Sequence, residues 1–247
     1  MLVLHSFFID ESQIDSQNYM PTAKDFVLLR EGVGHDLEAC VSVDDAMLCI
    51  DESTSSIKAY YPNKKDCISI SLPIKNVVSN CGLESLAYFP KNKLFVTCTE
   101  HATHGVPKGE IKLIFFTLDL DSKKCNVKYE IPYKIDEFDG KNTYRNGASE
   151  LLAWDESTLL VIERAVDLQG RIPRSRIRIY AIDLRGIDKS LIDKGIAKQL
   201  VYEYESKIMP VNIEGICRIP NTNKLLVVHD LPGMCIIGIL EADMPGN

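Results

Sequence analysis

The stretch Asn146-Gly147-Ala148-Ser149-Glu150-Leu151-Leu152-Ala153-Trp154-Asp155-Glu156-Ser157-Thr158-Leu159-Leu160-Val161-Ile162-Glu163-Arg164 holds two short apolar runs divided by an Asp-Glu-Ser turn. Each run is too short for a helix and is bounded by turn formers, which is the pattern of two strands in a hairpin. A glutamate heads the first run and an acid closes the second. Outward from this stretch the pattern recurs as Leu37-Glu38-Ala39-Cys40, Leu83-Glu84-Ser85-Leu86-Ala87 and Ile213-Glu214-Gly215-Ile216-Cys217. Turn-rich patches follow at Asp44-Asp45, Pro90-Lys91-Asn92 and Pro220-Asn221-Thr222-Asn223. Second runs then end in acids at Asp51-Glu52, Glu100 and Asp230.

Third strands are expected at Ser56–Tyr60, Ile111–Leu118, Arg176–Ile182 and Met234–Leu240, and fourth strands at Cys67–Leu72, Asn126–Pro132 and Gln199–Tyr204. Only Ile187–Leu200 carries a weak helical stripe. A hairpin-built unit recurring along the chain is the signature of a propeller, whose four-stranded blades take about 40–50 residues each. The interval from Glu38 to Glu84 fits one blade; the later two are longer by a loop. The fold expected is therefore an all-β propeller in one domain, residues 1–247, with four recognisable four-stranded blades beginning near residues 35, 81, 147 and 211. Residues 1–35 would form a partial blade or supply closing strands, since the fourth repeat has only three strands of its own. Five blades would be present in a complete ring, which suggests truncation or an irregular first blade. The long connections Thr99–Glu110, Asp136–Asn146 and Ala165–Ser175 are where a rigid scaffold places binding residues.

Composition narrows the partners. The 28 Lys+Arg against 35 Asp+Glu give a net charge of −7, which disfavours nucleic acid. No apolar run has the ~18 residues of a membrane-spanning helix. Met1–Ile9 lacks the basic region and cleavage site of a leader; the location expected is cytoplasmic if Met1 is native and extracytoplasmic if a leader was removed. The eight cysteines show no metal-ligand spacing, and five of them sit in apolar runs as small hydrophobes. A monomer is expected, acting on a small-molecule ester or on a protein ligand.

The strings Asn146–Arg164, Arg178-Ile179-Tyr180-Ala181-Ile182-Asp183-Leu184 and Asn212-Ile213-Glu214-Gly215 resemble the phytase-like propeller family, described as having esterase-like activity of phytase; the likeness runs from Leu37 to Asp230. The first two repeats also resemble small bacterial propellers without known catalysis.

Glutamates at one point of successive blades would form a ring about the axis, where like charges raise one another's pKa or bind a cation. Glu38, Glu84, Glu150, Glu214 and Asp230 are the candidate metal ligands, and calcium suits such a ring because it accepts six to eight oxygens in loose geometry. The strand-two acids should lie on the same face, because the start of strand one and the end of strand two are neighbours in a hairpin. The resemblance implies phosphate-ester hydrolysis there, with Glu163, Arg164 and Glu100 as catalytic candidates and Arg145, Asn146 and Lys108 holding ester oxygens. Repeated polar residues also serve as hydrogen-bond partners between blades, and that reading leads to a non-catalytic propeller binding a protein or small ligand through its loops. A sugar- or lactone-processing propeller with an axial metal is a third reading. Glu100-His101-Ala102-Thr103-His104 offers imidazoles without helical ligand spacing, and Ser149 lacks the second glycine of a nucleophile elbow. Trp154 and the phenylalanines are expected in the core.

Overall fold

The second and third blades are apolar on both faces because both faces are covered, and the alternation along single strands shows where each side goes. In the computed structural model the described residues are 3–7, 26–31, 36–61, 64, 66–74, 82–102, 109–138, 145–167, 173–187, 196–207, 211–231 and 234–244. They fall into two units, Met1–Asp36 and Leu37–Asn247. The first holds one antiparallel pair, β1 (Val3–Phe7) with β2 (Phe26–Glu31).

The second unit is the propeller. Its first blade is β3 (Leu37–Val43), β4 (Ala46–Asp51), β5 (Ser56–Tyr60) and β6 (Ile68–Ser71), in that spatial order. The second is β7 (Ala87–Phe89), β8 (Leu94–Thr97), β9 (Glu110–Asp119) and β10 (Lys124–Lys134). The third is β11 (Arg145–Ala153), β12 (Thr158–Asp167), β13 (Arg174–Asp183) and β14 (Gln199–Ser206). The fourth is β15 (Ile213–Arg218), β16 (Lys224–Leu231) and β17 (Met234–Glu241). The fold is thus an all-β propeller of four blades, all pairings antiparallel, the fourth with three strands. The N-terminal strands expected to complete that blade pair with each other.

Three cores lie between blades. Along β12, Leu159 and Val161 pack with Phe115, Ile131 and Tyr133 of the second blade, whereas Leu160 and Ile162 pack with Ile213, Leu225 and Val227 of the fourth. Along β9, Leu113 and Phe115 turn toward the third blade, and Ile114 and Phe116 join Leu48, Ile50 and Ile57 of the first. A period of two inside a continuous apolar run sends alternate side chains to opposite faces. Trp154 and Phe89, Phe95, Phe115, Phe116 and Phe138 are buried as expected. The six cysteines whose side chains are described are free thiols, with Cys49 and Cys98 buried.

One connection differs from expectation. The described residues of Ala165–Ser175 are largely strand: the β12–β13 pairing runs unbroken to Asp167 opposite Arg174. The Ile187–Leu200 stripe lies mostly outside the described residues, and its end, from Gln199, is the start of β14. Among the described residues no helix is long and apolar enough to cross a membrane.

Candidate functional site

Every blade has an extra residue at or beside its repeated glutamate. In the first, Leu37 pairs with Asp51 and Ala39 with Ile50, leaving Glu38 extra. In the fourth, Ile213 pairs with His229 and Gly215 with Val228, leaving Glu214. In the second, one residue more lies between Leu83 and Ala87 than between their partners Thr99 and Val96, and Glu84 follows Leu83 as Glu38 follows Leu37. A bulge breaks the alternation of faces and re-aims a side chain at a sheet margin. In the third blade Ala148 pairs with Glu163 and Glu150 with Ile162, so the extra residue is Ser149. Ser149, not Glu150, occupies the register position of Glu38, Glu84 and Glu214.

On the second strands the same register makes Glu52, Glu100, Arg164 and Asp230 equivalent, each one residue beyond the residue paired at the bulge. Three blades place an acid there and the third places a cation. The side chain of Asp230 lies outside the described residues. Arg164 is buried, at 3% exposure. It donates to Glu100 Oε1 at 2.5 Å and to Glu214 Oε1 and Asn212 Oδ1, tying the second, third and fourth blades together. Burial disfavours its charge, but the two carboxylates outweigh burial and raise its pKa.

Around this cation the acids are crowded. Burial, then the charges of Glu100, Glu38, Glu52 and Glu214, push the Glu84 carboxyl up to about 8. Glu38 and Glu52 offer oxygens within 4.8 Å of each other, and Glu52 accepts a hydrogen bond from Gly82 N at 2.6 Å. Burial would raise the Glu100 carboxyl, but the adjacent His101 ring and Arg164 outweigh it and hold it low. His101 Nδ1 is buried 3.2 Å from Glu100 Oε2. Ser149 Oγ is buried without a partner. His104 lies outside the described residues.

Glu150 sits one step deeper. It is buried at 7% exposure and accepts from Leu151 N at 2.9 Å. Burial pushes its carboxyl far above the usual range; the Leu151 and Leu86 amides oppose the shift, and Glu214 and Glu84 add to it.

Glu163 belongs to a different cluster. It continues the Leu159–Val161 face of β12 and meets Tyr133 Oη at 2.7 Å, Asp136 N at 2.9 Å and Lys198 Nζ at 2.5 Å. Arg164 continues the Leu160–Ile162 face, so the structure brings Glu100 and Arg164 together and leaves Glu163 on the other side of the blade. Lys198 also donates to the Lys134 carbonyl at 2.8 Å and lies 2.8 Å from Asp136. Asn146 joins this second cluster, its Nδ2 donating to the Asp136 carbonyl at 3.1 Å. Lys108 and the side chain of Arg145 lie outside the described residues.

Comparison with known proteins adds one family. A profile of the phytase-like family, described as "Esterase-like activity of phytase", matches residues 19–230. No curated protein matches the chain. Among solved structures, the chain is similar to one in a nidogen–laminin complex at 10% identity and a TM-score of 0.45, over 88% of this chain and 69% of that one.

Proposed function

Because this chain belongs to the phytase-like family, we propose that it is a metal-assisted hydrolase of phosphate or other small esters, centred on the acids at the bulged ends of the inner strands. The observation that supports this most directly is the crowding around Glu84, whose carboxyl is raised by burial and by four other glutamates contributed by three blades. Such crowding is unfavourable in an isolated protein and is relieved by a cation.

The donor set fits calcium. The oxygens offered are those of carboxylates and one hydroxyl, and Ser149 Oγ, buried and unpartnered at the register of Glu38, Glu84 and Glu214, is the kind of orphan oxygen a hard cation takes up. Glu38, Glu84 and Glu214 would hold the ion. When bound, it would polarise an ester oxygen and lower the pKa of a bound water. Arg164, with its bonds to Glu100, Glu214 and Asn212, holds the acids in register, while Lys108 and Arg145 supply positive charge for the oxygens of an ester.

The test is calcium titration of metal-stripped protein by calorimetry, beside hydrolysis of p-nitrophenyl phosphate, p-nitrophenyl acetate and phytate with and without the ion. Calcium should bind the unaltered protein, more weakly Ser149→Ala, and least Glu84→Gln, and turnover should need the loaded form. Absence of both binding and turnover sinks the reading and turns attention to a non-catalytic propeller that binds through its loops.

A further inference from the structure

Below the bulges residues of all four blades line a half-open cavity of about 310 Å³. Each blade contributes an apolar wall: Val41 from β3, Leu86 from the segment leading into β7, Leu151 from β11 and Ile216 from β15. No Lys, Arg or His lines it; its one carboxyl is that of Glu150, beside the Tyr88 phenol and the Ser42 hydroxyl. Cys40 and Cys217 face it as free thiols reached by solvent, although burial raises the pKa of each.

The size is at the lower end of small-ligand sites, about 300–1,000 Å³, and a largely apolar lining with a few placed polar groups is their usual make-up. The absence of a cation beside a carboxyl argues against phosphate esters and other anions. A hydroxyl group suits Glu150 in either protonation state, donating to a carboxylate or accepting from a carboxylic acid. We infer that this axial cavity is a binding site for a small uncharged molecule with an apolar body and one hydroxyl, held by Glu150. The site does not depend on the hydrolase reading, since it requires neither a metal nor turnover.

The experiment uses the full, metal-stripped chain and follows alkylation of Cys40 and Cys217 by iodoacetamide with mass spectrometry. Three probes are compared: p-cresol, toluene and phenyl phosphate. Occupancy by p-cresol should protect both thiols, with toluene about tenfold weaker for want of one hydrogen bond to a buried group and phenyl phosphate without effect. In Glu150→Leu, p-cresol and toluene should protect equally. In Ala153→Phe, which puts a bulky side chain at another lining position, neither should protect. Lack of protection by p-cresol, equal protection by toluene in the unaltered protein, or protection by phenyl phosphate would each overturn the inference.

Discussion

A methyl group at position 147 would meet the Glu100 carbonyl oxygen at 2.3 Å, closer than any Cβ contact tolerates. The same oxygen accepts Ala148 N at 3.1 Å, so the backbone of Glu100 is pinned against β11, and the glycine is what lets its carboxylate reach Arg164. Gly147→Ala should therefore destabilise the protein by about 1–3 kcal/mol, the usual cost of forcing an extra carbon into a packed site, seen as a lower urea midpoint. Glu84 predicts a pH dependence with a definite sign. Its folded pKa, about 8, lies above the ordinary 4.5, so between those values the folded state binds more protons than the unfolded one. Its contribution to stability is thus present at acid pH and lost as pH rises, by up to about 1.4 kcal/mol per unit across that window. Denaturant midpoints of metal-free protein at pH 6 and 8 should show the fall, and Glu84→Gln should flatten it. The sequence displays four headed runs and invites an equal role for four glutamates. What it conceals is the phase of the third: Ser149 takes the bulge and Glu150 drops into the cavity, a one-residue offset that only pairing with Glu163 and Ile162 reveals.

At the scale of the element, β12 decides which acid goes where. Its four apolar residues alternate between two cores, and the alternation continues into Glu163 and Arg164, so adjacent residues serve different blades. Strand parity could have separated them from sequence alone, once both faces were known to be covered. The second cluster was not legible in the same way. Lys198 follows a connection that shows no strand pattern, and Asp136 opens a loop, so nothing in the spacing links either to Glu163. Burial, partly offset by the Lys198 and Tyr180 hydrogen bonds and then outweighed with the charges of Lys198 and Arg178, leaves Asp136 ionised with a lowered pKa. Lys198 thus faces two carboxylates, and its Nζ also sits 4.1 Å from the Tyr180 ring centre. Lys198→Met leaves the 4%-exposed Glu163 without its cation, and breaking such a pair from one side costs about 3 kcal/mol or more. Adding Glu163→Gln should recover a large part of that loss. A double-mutant cycle in urea checks the coupling, and strict additivity would show that the pair is energetically idle.

At the scale of the molecule, the blades meet in apolar cores along their faces and in charge at the bulged ends of their inner strands. The apolar part was readable because covered sheets need continuous Val, Leu and Ile runs whatever their partners. The charged part is a compromise: Arg164 neutralises part of the acid cluster, and protonation of Glu84 relieves more of it. A divalent ion placed there would do the work of that proton. Calcium binding should therefore expel close to one proton per ion near pH 7, where a carboxyl with a pKa of about 8 is still mostly protonated, and almost none above about pH 9. Apparent affinity should climb with pH by up to about tenfold per unit below 8 and then level off. Because the oxygens come from different blades, a bound ion should also raise the melting temperature of the propeller as one transition, by the mass-action stabilisation of about 2.7 kcal/mol at a hundredfold excess over Kd. Calorimetry in two buffers of different ionisation enthalpy measures the protons directly. Binding with no proton release near pH 7 would place the ion away from Glu84, and a melting transition that splits on loading would mean that the ion is held by one blade alone.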